Sequence, residues 1–148
     1  MAITSAICNS FKQEILEAEH NFTASSGNTF NLALYDSDAT LNKSTTVYTT
    51  SEELATTGGY TAKGNALTSV TPVLDSDTAV CDFSNESWTS ATFTARGLLL
   101  YNTTAITGFT TNRSICAINF GGDKTVTSGT FTIEFPAAAA ATAIIAIA

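Results

Sequence analysis

Charge is what this chain has least of. Charged residues fill 13 % of its 148 positions, about half the usual share. The six Lys and Arg are scattered, never clustered, and the net charge is −7. A nucleic-acid partner needs a basic stripe to neutralise phosphates, and an anionic membrane surface needs a polybasic segment. Neither partner is expected. Histidine occurs once, at His20, and no nucleophile elbow or orienting motif accompanies it. At the acidic end of a predicted helix, His20 is expected to serve as a favourable C-terminal cation. The three cysteines, Cys8, Cys81 and Cys116, are odd in number and form no CxxC pair or Cys/His cluster. That excludes the usual zinc patterns and a disulfide framework. Cys81 and Cys116 sit in apolar runs and read as buried free thiols. The start, "MAITSAICNSFKQEIL", lacks the basic leader and apolar core of a signal peptide.

Thr, Ser and Asn stand where the missing charge would be. With 44 % hydrophobic residues, including many aromatic and β-branched ones, the chain can build a core and is not expected to be disordered. The Asn-x-Ser/Thr triplets at Asn21, Asn42, Asn85, Asn102 and Asn112 carry no weight in such a composition. The clearest helix signal is "NSFKQEILEAEHNF": Ser10 is placed to cap, with Gln13 three residues on, and Phe11, Ile15 and Leu16 share a face. A further helical turn is expected in "TTSEELATT".

Beyond the helix, apolar residues alternate. "TFNLALY" puts Phe30, Leu32 and Leu34 on one face, "TAVCDF" does so with Ala79, Cys81 and Phe83, and "RSICAINF" with Cys116, Ile118 and Phe120. "GTFTIEF" is the cleanest period-two run, and "RGLLLYN" is continuously apolar. Pro72 demotes "ALTSVTPVL" to an edge or a bulge. Turn chemistry in "DSDAT", "TTGGYTAKGN", "LDSDT", "NTTAITGFTTN", "FGGDK" and "TSG" separates these runs, with "FGGDK" read as a hairpin turn. The pattern predicts an all-β fold: an antiparallel β-sandwich or jelly-roll-like body of about eight strands, with a short N-terminal helix. One domain is expected over residues 1–148, with the helix at 8–19 and the β body at 29–148.

No catalytic, cofactor-binding or metal-binding set emerges. The two "DSD" stretches, Asp36/Asp38 and Asp75/Asp77, read as turns; they lack the continuation of a calcium loop. Arg96, between Phe93 and Leu98, reads as an ion pair joining two strands, with a partner-subunit contact as the alternative. Trp88 is either a core residue or an interface anchor. The close, "EFPAAAAATAIIAIA", leaves thirteen residues after Phe135, against about twenty for a membrane span. It reads as an extended alanine crossover into a last strand near Ala143–Ile147, which something has to cover. Trp88, Arg96, Tyr101, Ile144, Ile145 and Ile147 are therefore the candidate interface residues.

Two stretches, "WTSATFTARGLLLYN" and "INFGGDKTVTSGTFTIEFPAAAAATAIIAIA", together with the start "SFKQEIL…HNF…TFNLALY", resemble small structural proteins of tailed bacteriophages, over nearly the whole chain. The resemblance implies a capsid cement, or head-decoration, protein with no enzymatic activity and no cofactor. It implies a homo-oligomer, with a trimer favoured, that binds the major capsid protein on the capsid exterior of the virion after synthesis in the bacterial host cytoplasm. A tail, adaptor or fibre component is the alternative, as is a carbohydrate- or receptor-binding module in which Trp88 and Tyr101 would stack on a ligand.

Overall fold

The computed structural model describes residues 2–148. Its elements are β1 (Ala6–Ile7), α1 (Asn9–Leu16), β2 (Phe30–Tyr35), β3 (Asn65–Ala66), β4 (Ser69–Asp75), β5 (Thr78–Phe83), β6 (Glu86–Asn102), β7 (Arg113–Ile133) and β8 (Ile145–Ile147). The strands pair antiparallel in two sheets, β1-β7-β6-β2-β3 and β4-β5-β8. The fold is all-β, in the manner of a sandwich, with one short helix among the described residues.

Register explains the apolar runs. Leu32 lies opposite Leu100, which lies opposite Cys116; Leu34, Leu98 and Ile118 form the next row. This face packs against Cys81, Phe83 and Ile145 of the smaller sheet, and against Phe11 and Phe22. The alternate row, Ala33, Leu99 and Ala117, packs with Tyr35 and Tyr101 under Ile3, Ala39 and Leu41. The larger sheet is therefore covered on both faces where β2 and β6 run side by side. A strand buried on both sides has no polar face to show, so β6 reads "GLLLY" rather than alternating.

The second face is pinned by one carboxylate. Glu53 accepts hydrogen bonds from Tyr48 and Tyr60 hydroxyls and from the Lys63 amide. The Tyr60 hydroxyl in turn accepts from the Leu34 amide at 3.0 Å, and Tyr101 donates to the Lys63 carbonyl at 2.7 Å. Burial beside Glu53 pushes the phenols of Tyr35, Tyr48 and Tyr60 well above their ordinary range, so they stay protonated donors. Gly64 joins this region to β3 with φ +68°, and a Cβ there would run into the Leu32 carbonyl. Gly64→Ala is expected to lower stability by about 1–3 kcal/mol from backbone strain alone, read as a lower urea midpoint with an unchanged slope.

Several local expectations are corrected. "FGGDK" is not a hairpin turn but a bulge inside the 21-residue strand β7. Ala95 pairs with Lys124 and Gly97 with Asn119, so Arg96 alone faces the four residues 120–123. Gly121 takes φ 75° there, and Ser128 of "TSG" takes φ 47° at a second irregularity. "TTSEELATT" forms turns and no helix. Cys8, not Ser10, occupies the N-cap of α1, with no side-chain cap bond. In β5 it is Val80 that is buried, along with Cys81 and Phe83, while Ala79 is exposed. The last strand does form, but the alanines before it are not extended: Thr142 and Ala143 amides both donate back to the Ala139 carbonyl. Pro72 lies on β4, an edge strand whose register slips between Val70 and Val73.

All three cysteines are free and buried. Burial pushes the Cys8 thiol up to about 11 and those of Cys81 and Cys116 to about 12, which leaves them protonated and unreactive. Among the described residues no helix is long and apolar enough to cross a membrane.

Candidate functional site

Most of the polar side chains that the fold buries collect at one place, where the chain leaving α1 meets the loop-side ends of β6 and β7; Asp82, also buried, lies apart on β5. Glu19, His20, Asn102 and Arg113 are all buried there, and Glu14 of α1 is close to buried. Asn102 and Arg113 form the last pair of the β6–β7 ladder before the 103–112 loop. Arg113 donates from Nη1 to the Thr110 carbonyl at 2.8 Å and from Nη2 to the Glu19 carbonyl at 3.0 Å. Its Nε lies 3.3 Å from Glu19 Oε2 and 4.0 Å from Glu14 Oε2, without a hydrogen bond to either. The attraction at Nε is therefore coulombic, between charges that water hardly reaches.

His20 completes the network. Its Nε2 is 2.7 Å from Glu14 Oε2, and its Nδ1 is 3.1 Å from Asn102 Nδ2. The Asn102 amide is oriented by its own Oδ1, which accepts from the Thr104 amide at 2.9 Å. Nδ2 therefore faces the histidine as a donor, Nδ1 accepts, and the single ring proton sits on Nε2, donating to Glu14. Burial, with the Arg113 guanidinium alongside, pushes His20 down to about 4. It is a neutral, enclosed side chain and not the helix-end cation expected from the sequence. With both nitrogens engaged, it has no free lone pair to offer a substrate. Burial raises the carboxyls of Glu14 and Glu19 above the usual range; Arg113 opposes the shift at both, and a hydrogen bond with Glu17 adds to it at Glu19. Ser10, Gln13, Glu17, Phe109 and Thr110 join these residues around a cavity of about 180 Å³.

A second feature is apolar. Ile7, Phe11, Ile15 and Leu16 on one side and Ile144, Ile145, Ala146 and Ile147 on the other enclose a groove of about 350 Å³, with Lys12 its one charged lining residue. Leu16 is 87 % exposed and Ile147 53 %. β8 pairs with β5 on one side and has no strand on the other. Large apolar side chains beside an open strand edge are the usual mark of an association surface.

The candidate interface residues fall into two groups. Trp88, Tyr101 and Ile145 lie in the chain's own core. Trp88 packs against Tyr60, Phe93 and Phe131, and Tyr101 stacks on Tyr48 at 4.7 Å; stacking of either ring on a ligand would require it to leave that core. Arg96 is partly exposed and pairs with Asp123 at 3.0 Å, clipping the β7 bulge to β6. Ile144 is half-buried and Ile147 is open, both on the groove.

The two "DSD" stretches do different work. Asp38 and Asp36 close a turn, with the Asp38 amide donating to Asp36 Oδ1 at 2.9 Å. Carboxylate oxygens of Asp36, Asp38 and Glu52 come within 4.8 Å of one another, three side chains against the six to eight oxygens that calcium takes. Asp75 ends β4 and Asp77 sits in the two-residue β4–β5 hairpin turn; Asp75 Oδ2 accepts from the Ala140 amide at 2.7 Å, holding the alanine segment to the hairpin.

Comparison with protein-family models, with curated proteins and with solved structures finds no match to this chain. The buried Glu19–Arg113 pair and the His20–Asn102 contact are not legible in the sequence, because they join residues 94 and 82 positions apart. The one available signal was an arginine set directly before the apolar run "SICAI", in a chain with six basic residues.

Proposed function

We propose that this chain is a virion structural protein, a capsid cement or head-decoration protein of a tailed bacteriophage that bridges major capsid subunits on the outside of the head. Its working form in this reading is a homo-oligomer, with a trimer matching the local threefold symmetry of a shell. The resemblance read from the sequence motivates the proposal, and one structural observation supports it: the apolar groove between α1 and β8, with Leu16 and Ile147 facing solvent beside an open strand edge. Such a surface gains from being covered by protein, and many modest contacts of this kind on a repeating shell hold nearly irreversibly. The polar cluster, by contrast, spends its hydrogen bonds internally.

Binding to undecorated heads tests the reading. Purified protein should saturate such heads at a fixed ratio to the major capsid protein and stay bound on dilution. Leu16→Asp and Ile147→Asp, both at exposed positions, should weaken that binding at least tenfold while leaving the melting curve close to wild type. Failure to bind heads, or binding at the tail vertex alone, would overturn it.

A further inference from the structure

We propose that His20 is an acid-released latch that holds the N-terminal segment, α1 and the chain through Phe22, against β6 and β7. The His20 side chain is fully enclosed, between the rings of Phe11 at 5.0 Å and Phe22 at 6.2 Å. Its Nδ1 faces the Asn102 Nδ2 donor. That amide cannot turn over without giving up the Thr104 amide at its Oδ1 and the Asn28 Oδ1 contact at its Nδ2, 3.0 Å away. A second proton on the imidazole would set N–H against N–H at Asn102, a clash that the Glu14 carboxylate at the other ring nitrogen cannot relieve. Protonation therefore requires the ring to leave its site.

What leaves with it follows from the packing. Phe22, two residues on, stacks on Phe30 of β2 at 4.4 Å. Glu19, one residue before, holds Arg113 through its carbonyl and its carboxylate. Ile15 and Leu16 form one wall of the apolar groove, facing Ile144–Ile147. Release of this segment would strip the cover from Phe30 and from the inner side of β8, turning a shallow groove into a broad apolar face. The device thus bears on the accessibility of the groove, and it stands whether or not the chain decorates a capsid.

The groups around His20 set the sign. With a folded value of about 4 against 6.5 unfolded, the contribution of neutral His20 is fully present above pH 6.5 and is lost as pH falls to 4. The carboxyls of Glu14 and Glu19, raised by burial, work the other way: folding favours their protonated forms, so acidification relieves a cost that they impose at neutral pH. Yet a protonated Glu14 no longer provides the carboxylate that accepts from Nε2, and a protonated Glu19 no longer balances Arg113. Glu17, on the exposed side of α1, adds negative charge at the cavity. The His20 contribution is specific to the segment holding it, so opening is expected there before the sheets respond.

Hydrogen exchange on the full chain, corrected for the intrinsic pH dependence of amide exchange, reads the latch. Opening of residues 9–22 should grow up to about tenfold per pH unit between 6.5 and 4, while β2 and β6 keep their protection. In His20→Gln, which keeps a donor and an acceptor but cannot titrate in this range, that growth should vanish. The same profile in wild type and His20→Gln, or unchanged wild-type protection of residues 9–22 down to pH 4.5, would overturn the proposal. Should the variant not fold, ring nitrogen NMR of the wild type decides. A neutral Nε2–H ring at pH 6 whose protonation coincides with opening supports the latch; ordinary titration near 6.5 with the segment still protected refutes it.

Discussion

Arg113→Met lowers the stability of this fold by about 3–5 kcal/mol, the cost of leaving one member of a buried ion pair alone. In a chain of this length that is a fall in melting temperature of about 6–20 °C. Arg113 and Glu19 are 2 % and 3 % exposed, so once the guanidinium is gone water cannot easily reach the Glu19 carboxylate. The same substitution removes donors from the Thr110 and Glu19 carbonyls, which unties the 103–112 loop from the α1 side. Methionine fills most of the arginine stem's volume, which keeps the cavity term small. A second change separates charge from packing: Arg113→Met combined with Glu19→Gln should recover part of the loss, because the stranded charge is no longer there. Urea denaturation of the wild type, both single variants and the double variant completes the cycle. A loss for Arg113→Met within about 1 kcal/mol of zero, the range of surface pairs, would mean that the pair is open to water.

Removing residues 142–148 is expected to abolish cooperative folding. β8 supplies the second neighbour of β5, pairing Ile145 with Cys81, Ala146 with Val80 and Ile147 with Ala79. Ile145 belongs to the main core, and without it Cys81 and Phe83 lose their lateral cover. The truncation would also turn β5, with four consecutive buried residues, into an open apolar edge prone to aggregation. Circular dichroism and sedimentation check the outcome: aggregated protein or a broad, non-cooperative melt is predicted. Ile145→Ala grades the same effect, with a loss of about 2–5 kcal/mol. A soluble truncated chain that melts as the wild type does would show the last strand to be dispensable.

The strands that could be read from the sequence were those whose neighbours impose a simple period. Phe30, Leu32 and Leu34 alternate because one row faces the smaller sheet, and Pro72 marked an edge because it cannot donate to a ladder. The errors share a different cause. Gly121, Asp123 and Ser128 carry turn chemistry because a bulge needs the same positive φ and local side-chain bonds as a hairpin. Composition cannot say whether the chain reverses or continues; only the register against β6 does. The polar cluster was hidden for a similar reason. His20 at the end of an acidic helix looks like a helix-end cation until Asn102 and Arg113, more than eighty residues later, close over it. Trp88 and Arg96 each had two readings in the sequence, and the fold sets them in a core and in a strand-to-bulge ion pair.

The proposed role as capsid cement turns on how many copies a particle carries and where. Quantitative mass spectrometry of purified virions, with the major capsid protein as internal standard, measures the ratio directly, and separated heads and tails give the location. The account predicts a fixed ratio in the head fraction that scales with the number of capsid subunits. A few copies per particle, confined to the tail fraction, would contradict it.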